Sequence, residues 1–147
     1  MEIKEAGIFD IPKIGKIIVD DRAMFDNPIF AAGAAPSYST WSGIKPVFKY
    51  FMYVLHPRRR LFFAVDGKRV LGVAVISNRN FIEGFFINEE HRGRGVGRQL
   101  MEHVCSLIRR ESGTVRVGVR SVNEKAMEFY KKCGFSVDEY IMNKNLR

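Results

Sequence analysis

Apolar residues recur along the chain with two different periods, and the change from one to the other divides it. Near the start, Ile14, Ile17, Ile18 and Met24 fall at helical spacing. They predict an amphipathic helix from Phe9 to about Phe25, with Asp10 as a plausible N-cap and Pro12 in the first turn. A short strand, IKEA, precedes it. Residues 26–40 (DNPIFAAGAAPSYST) are rich in Gly, Pro, Ser and small residues and read as a loop. A second helix is predicted from about Trp41 to Leu55, ending before Pro57.

The period then shortens. LFFAV (61–65), an Asp66-Gly67 turn and VLGVAVIS (70–77) make a hairpin pattern, and Phe81 to Ile87 reads as a third strand of this group. A helix follows from about Gly95 to Arg110, with Leu100, Met101, Val104, Leu107 and Ile108 on one face. TVRVGVRS (114–121) alternates as a strand does. Asn123 to Cys133 is a short helix with Gly134 suited to its C-terminal cap, and 135–146 is extended. The order β-α-α-β-β-β-α-β-α-β predicts an α/β (α+β) layer arrangement around a mixed sheet. At 147 residues the chain is expected to be a single domain.

Composition narrows the class. Hydrophobic residues at 46% and charged residues at 27% describe a globular protein and exclude a disordered one. VLGVAVI (70–76) falls far short of the ~20 residues that span a bilayer. The opening MEIKEAGIFDIPKIG lacks the apolar core of a secretory signal, so a cytoplasmic protein with no membrane partner is expected. His56, His91, His103, Cys105 and Cys133 lack metal-ligand spacing; no metal is expected, and both cysteines read as small packing residues. Twenty-four Lys and Arg against 16 Asp and Glu leave +8, a surplus that favours a nucleic acid, an anionic lipid or a phosphorylated ligand.

One segment suits an anion in particular. In HRGRGVGRQLM (91–101), Gly93, Gly95 and Gly97 let the backbone turn tightly at the start of an amphipathic helix, where unpaired N–H groups and the helix dipole collect. Arg92, Arg94 and Arg98 surround that point. A phosphate or pyrophosphate is the natural guest. It is not a Walker loop, because Gly97 is followed by Arg98 and Gln99. The glycines also miss the one-three-six spacing of a dinucleotide fingerprint.

Arg92-Gly93-Arg94-Gly95-Val96-Gly97 resembles the Arg/Gln-x-x-Gly-x-Gly/Ala signature of the GCN5-related N-acetyltransferases (GNAT). VNEKAMEFYKKCGF (122–135) resembles that family's second motif, and FIEGFFI (81–87) sits at its fourth-strand position. The likeness runs from about residue 61 to 146, and the first 60 residues match in layout alone. It implies a single acyl-CoA N-acyltransferase domain over 1–147, with 1–60 a variable acceptor-side region and 61–146 a cofactor-binding core.

The resemblance also implies roles. Acetyl-CoA is the acyl donor and an amine the acceptor, with no metal. Residues 92–97 take the pyrophosphate, with Arg98 close by. The pantetheine arm lies in a splay between the fourth and fifth strands, against Phe85, Phe86 and Ile87 on one side and Val117–Val119 on the other. Asn123 hydrogen-bonds that arm, and Tyr130 gives a proton to the departing thiolate. Glu83, the one carboxylate on the strand beside the thioester, is the candidate base, either with its pKa raised by burial among Phe81, Phe85 and Phe86 or acting through a water; that it only orients substrate, or is a plain edge carboxylate, stays open. IEGFF itself resembles a strand of aminoglycoside 6′-N-acetyltransferases in which a Glu faces the amine. Tyr38, Trp41 and Tyr50 fall where relatives cover the acceptor site, and family members often pair as homodimers through C-terminal strands.

Some features depart from the pattern or stand apart from it. Gly118 occupies the position at which relatives that acetylate protein N-termini carry a Glu, and Asn88-Glu89-Glu90 lacks a common Pro. Arg58, Arg59 and Arg60 read as a solvated loop end, and Lys131 and Lys132 as an exposed helix face or a phosphate contact. Two other readings stay open: a basic nucleic-acid-binding module, and a CoA-binding sensor without catalysis. The first explains the charge but not the spacing of Asn123 and Tyr130; for the second, an intact Tyr130 is the contrary sign.

Overall fold

The computed structural model describes residues 1–7, 10 and 56–140. Within them the elements are β1 (Glu2–Glu5), β2 (Arg59–Asp66), β3 (Arg69–Ser77), β4 (Phe81–Ile87), a 3-10 turn (Glu89–His91), α1 (Val96–Glu111), β5 (Arg116–Val117) and α2 (Glu124–Lys132). The sheet runs β1-β2-β3-β4-β5, antiparallel through the first four strands, and parallel between β4 and β5. A mixed, mostly antiparallel sheet with helices is therefore present as expected. The helices predicted over 9–25 and 41–55, the aromatic residues Tyr38, Trp41 and Tyr50, and 141–146 of the final segment lie outside the described residues.

The hairpin forms because β2 and β3 are uniformly rich in β-branched and aromatic residues and are joined through Gly67, whose φ of +57° suits a tight reversal. α1 lies on one face of the sheet. Its Leu100, Met101, Val104 and Ile108 pack with Phe62, Ala74, Ile76 and Ile82 in one buried cluster. Strand alternation sends Leu61, Phe63, Val73, Val75 and Phe86 to the opposite face, where they too are buried. Among the described residues, no helix is long and apolar enough to cross a membrane.

Two irregularities in the ladders set the seat of α1 and the direction of Glu83. On β3, Ala64 faces Gly72 and Val65 faces Val70, so Leu71 is an extra residue. It packs with Ala64 beneath Val96, the first residue of α1, and anchors that helix end. On β4, Val75 faces Gly84 and Ile76 faces Ile82, which leaves Glu83 as the extra residue. A bulge of this kind re-aims a side chain and bends its strand.

The strand expected over 114–121 is far shorter. Only Arg116 and Val117 pair, with Phe81 and Ile82 of β4. Alternation in TVRVGVRS satisfies the sheet pattern, but a ladder needs a neighbour in register, and the pairing of β4 with β5 ends at Ile82, just before the bulge at Glu83. Residues 135–140 form no strand among the described residues and are largely exposed; Arg116 holds Glu139 at 2.9 Å.

Candidate active site

The glycine turn and the start of α1 form a concentration of unpaired donors. Gly93 and Gly95 have φ of +74° and +81°, the left-handed region that a side chain would disfavour. Gly95 is the N-cap of α1 and offers no side-chain cap, and the first helical bond runs from the Gln99 N–H to the Gly95 carbonyl at 3.1 Å. The N–H groups of Val96, Gly97 and Arg98 thus lack helical acceptors. Among the described residues, no backbone carbonyl accepts from Gly93, Arg94 or Gly95 either. Val96 is buried at this point, while Arg92, Gly93, Arg94 and Gly95 are exposed.

The charged side chains of this turn divide by task. Arg92 Nε donates to the Ile87 carbonyl at 3.0 Å and its guanidinium lies over the Phe86 ring, so it ties the turn to the end of β4. Arg98 pairs with Glu102 one turn along α1. Asn88 supplies the stop that a Pro gives elsewhere: its Oδ1 accepts from the Glu90 N–H and caps the 3-10 turn.

β4 and β5 pair over two residues each. Their pairing stops at Ile82 and Val117, so beyond the bulge the β5-facing edge of Gly84, Phe85, Phe86 and Ile87 has no strand partner among the described residues. The splay expected there is present, although its far side is a loop at Gly118 and Val119 rather than strand.

Two candidate groups flank the opening on opposite faces of the sheet. Phe85 turns toward α2, stacked on Phe129 at 5.4 Å and edge-on to Tyr130 at 6.4 Å. Tyr130 also meets the rings of Phe129 and Phe135. Burial, and secondarily Cys133, pushes its phenol up to about 12, so it holds its proton throughout the neutral range. A tight C-terminal cap fixes its position. Gly134, at φ +89°, donates to the Lys131 carbonyl and Phe135 N–H to that of Tyr130 itself, the paired bonds of a Schellman cap. At the other end of α2, Asn123 Oδ1 accepts from Ala126 N–H at 3.1 Å. The N-cap bond leaves the amide NH2 of Asn123 as the group able to reach a ligand.

Glu83 faces the other way. The bulge sends it to the face opposite α1, where Arg59 Nε and Nη2 reach its two carboxylate oxygens at 2.7 and 3.3 Å. Arg60, next in sequence, points to the α1 face and bridges Glu5 and Glu111, which fixes the direction of Arg59 by alternation. Two sequence expectations are corrected here. Phe85 does not help bury Glu83, since the bulge places the two on opposite faces. The solvated loop end expected over Arg58–Arg60 holds for Arg58 alone: Arg59 and Arg60 open β2, and both are in ion pairs. The Arg59–Glu83 pair was not legible in the sequence, because its partners stand 24 positions apart.

A shallow groove of about 320 Å³ between α1 and α2 is lined by Arg98, Arg109, Lys132, Cys105 and Cys133 among others. Burial raises the pKa of both thiols and keeps them protonated, in keeping with a packing role. Lys131 and Lys132 are exposed.

The family model described as the acetyltransferase (GNAT) family matches residues 30–135. The chain belongs to the GNAT family. The match begins well ahead of residue 61, so part of the N-terminal region shares more than layout. The GNAT chain is 35% identical over 82 residues to the peptidyl-lysine N-acetyltransferase YjaB of Escherichia coli (strain K12), covering 55% of this chain and 52% of that one. It is 36% identical over 85 residues to streptothricin acetyltransferase of Streptomyces lavendulae, covering 52% and 44%. The chain thus spans about half the length of the curated relatives it matches. Among solved structures, a tetramutant of the BH1408 protein of Bacillus halodurans superposes with a TM-score of 0.73 at 18% identity, covering 99% of this chain and 100% of that one. The aminoglycoside acetyltransferase meta-AAC0020, from an uncultured soil metagenomic sample and in complex with trehalose, gives 0.69 at 15% identity, covering 99% and 95%. These two likenesses establish the GNAT fold, and membership of the family implies an acetyl-CoA donor.

Proposed function

We propose that this GNAT protein transfers an acetyl group from acetyl-CoA to a primary amine by direct attack in a ternary complex. The observation that carries the reading is the opening between β4 and β5, with a carboxylate on one face of the sheet and a protonated phenol on the other. An amine arriving on the Glu83 face meets a proton acceptor, and a thiolate leaving on the Tyr130 face meets a proton donor. The residues present fit the donor: among the described residues the N–H groups of 93–98 have no backbone acceptor, which suits a pyrophosphate, and the Gly84–Ile87 edge has no strand partner, which suits an extended amide chain.

Acetyl-CoA supplies an activated acyl group as a thioester, and the protein's groups manage protons and charge around it. An alkyl amine of pKa near 10.4 is neutral in only about 1 part in 2,500 at pH 7, so its proton must be taken. Glu83 takes it, directly or through a water. A backbone N–H near Phe85, on the open edge, faces the thioester oxygen and stabilises its developing charge. Asn123, through its NH2, holds the pantetheine arm. Tyr130 is a weaker acid than an alkyl thiol of pKa about 8.5, so it assists departure by hydrogen bonding rather than by complete proton transfer.

The acceptor is a primary amine such as the lysine side chain named for one relative. The measurement is thiol release from acetyl-CoA across lysine peptides, small amines and amine antibiotics, with Tyr130→Phe beside the wild type. Release that needs an amine and falls tenfold or more in the variant, with acetyl-CoA affinity retained, is the expected result. Equal turnover in the variant removes Tyr130 from the mechanism. Silence across the panel, together with no binding of acetyl-CoA, defeats the whole reading.

A further inference from the structure

Arg59 and Glu83 form a fork across the sheet, from β2 over β3 to the bulge of β4, with side-chain exposures of only 13% and 19%. Two charges so far removed from water gain little net stability from their attraction, because desolvation offsets it. Of the three successive arginines, Arg58 is exposed and Arg60 serves β1 and α1 on the other face. Arg59 alone is aimed at the carboxylate beside the open edge. A Glu side chain has many rotamers open to it, and a bulge re-aims the side chain it carries. Two parallel N–H···O bonds from a planar guanidinium remove that freedom and fix the plane of the carboxylate.

We propose that Arg59 is a positioning residue of the acetyl-transfer site, holding the Glu83 carboxylate in the orientation from which it receives the amine proton. The inference rests on the reading of Glu83 as proton acceptor. Arg59 stands on β2, with β3 between it and the β4 edge at which the donor is placed. Its removal therefore lowers kcat without altering the KM for acetyl-CoA. Lysine keeps the charge but not the fork, and restores part of the rate.

The test is a double-mutant cycle on the full chain, using the best amine of the acceptor panel at saturating acetyl-CoA, with a thermal melt of each variant. Arg59→Met is expected to lower kcat tenfold or more, with KM for acetyl-CoA within twofold of wild type, and Arg59→Lys to fall between. In the Glu83→Gln background, Arg59→Met is expected to cost less than a further twofold, because its target is already gone. Full additivity overturns the proposal, since Arg59 then acts by another route. So does a wild-type kcat for Arg59→Met while Glu83→Gln is slow, and that result leaves the base reading standing. A wild-type kcat for Glu83→Gln defeats the base reading itself, and this inference with it. Where Arg59→Met does not fold, Arg59→Lys carries the comparison: no loss with lysine in the otherwise wild-type chain, or an equal loss with and without Glu83→Gln, overturns the fork as the cause.

Discussion

The environment of Tyr130 changes its chemistry. Its ring sits among Phe85, Phe129 and Phe135, and its phenol is raised to about 12 from an ordinary value near 10. Below pH 10 the phenol is protonated in both folded and unfolded chains and has no effect on stability. Between pH 10 and 12 the unfolded chain releases the proton while the folded one keeps it, so stability falls as pH rises through that window. Denaturant melts should show this decline, on the order of 2 kcal/mol, and it should shrink in Tyr130→Phe. The same elevation implies that no loss of activity below pH 10 arises from ionisation of Tyr130. Motif spacing singles out Tyr130, the glycine turn and Asn123, because their pattern is carried by local sequence. It gave Glu83 the wrong surroundings, because the register slip that turns it away from Phe85 depends on β3 as well as β4.

At the scale of elements, irregularities do the placing. The extra residue Leu71 seats the start of α1, the extra residue Glu83 opens the sheet, and the cap at Gly134 sets the last turn of α2. Gly134→Ala puts a side chain at φ +89° and is expected to cost about 1 kcal/mol of stability in urea melts. It also loosens the turn that carries Tyr130, so kcat should drop severalfold while acetyl-CoA still binds. The bounds of α1 and α2 were legible to within a residue, since α1 carries an apolar stripe and a glycine or an asparagine stands before each helix. Strand 114–121 was not, because period-two alternation reports a preference and β5 exists only as far as its neighbour stays alongside. The two ladder slips leave no mark in the pattern of apolar positions at all.

The whole molecule depends on the layer between α1 and the sheet. Leu100, without exposed surface, sits in the middle of that cluster, and Leu100→Ala should destabilise the chain by about 2–5 kcal/mol in urea unfolding. Because this layer underlies both the glycine turn and β4, acetyl-CoA affinity is expected to be lost with it only when the chain unfolds, not before. That the Gly84–Ile87 edge of β4 has no strand partner among the described residues has another consequence. An unpaired strand edge is a template for association with other chains. Under the proposed reading the acyl donor occupies that edge, so folding and feeding are linked: at a hundred times its dissociation constant, a ligand adds about 2.7 kcal/mol to the folded state. The concentration of acetyl-CoA then governs not only how fast the protein works but how long it survives as an unaggregated, protease-resistant molecule. On that reading, a protein without donor leaves the same edge open to other chains.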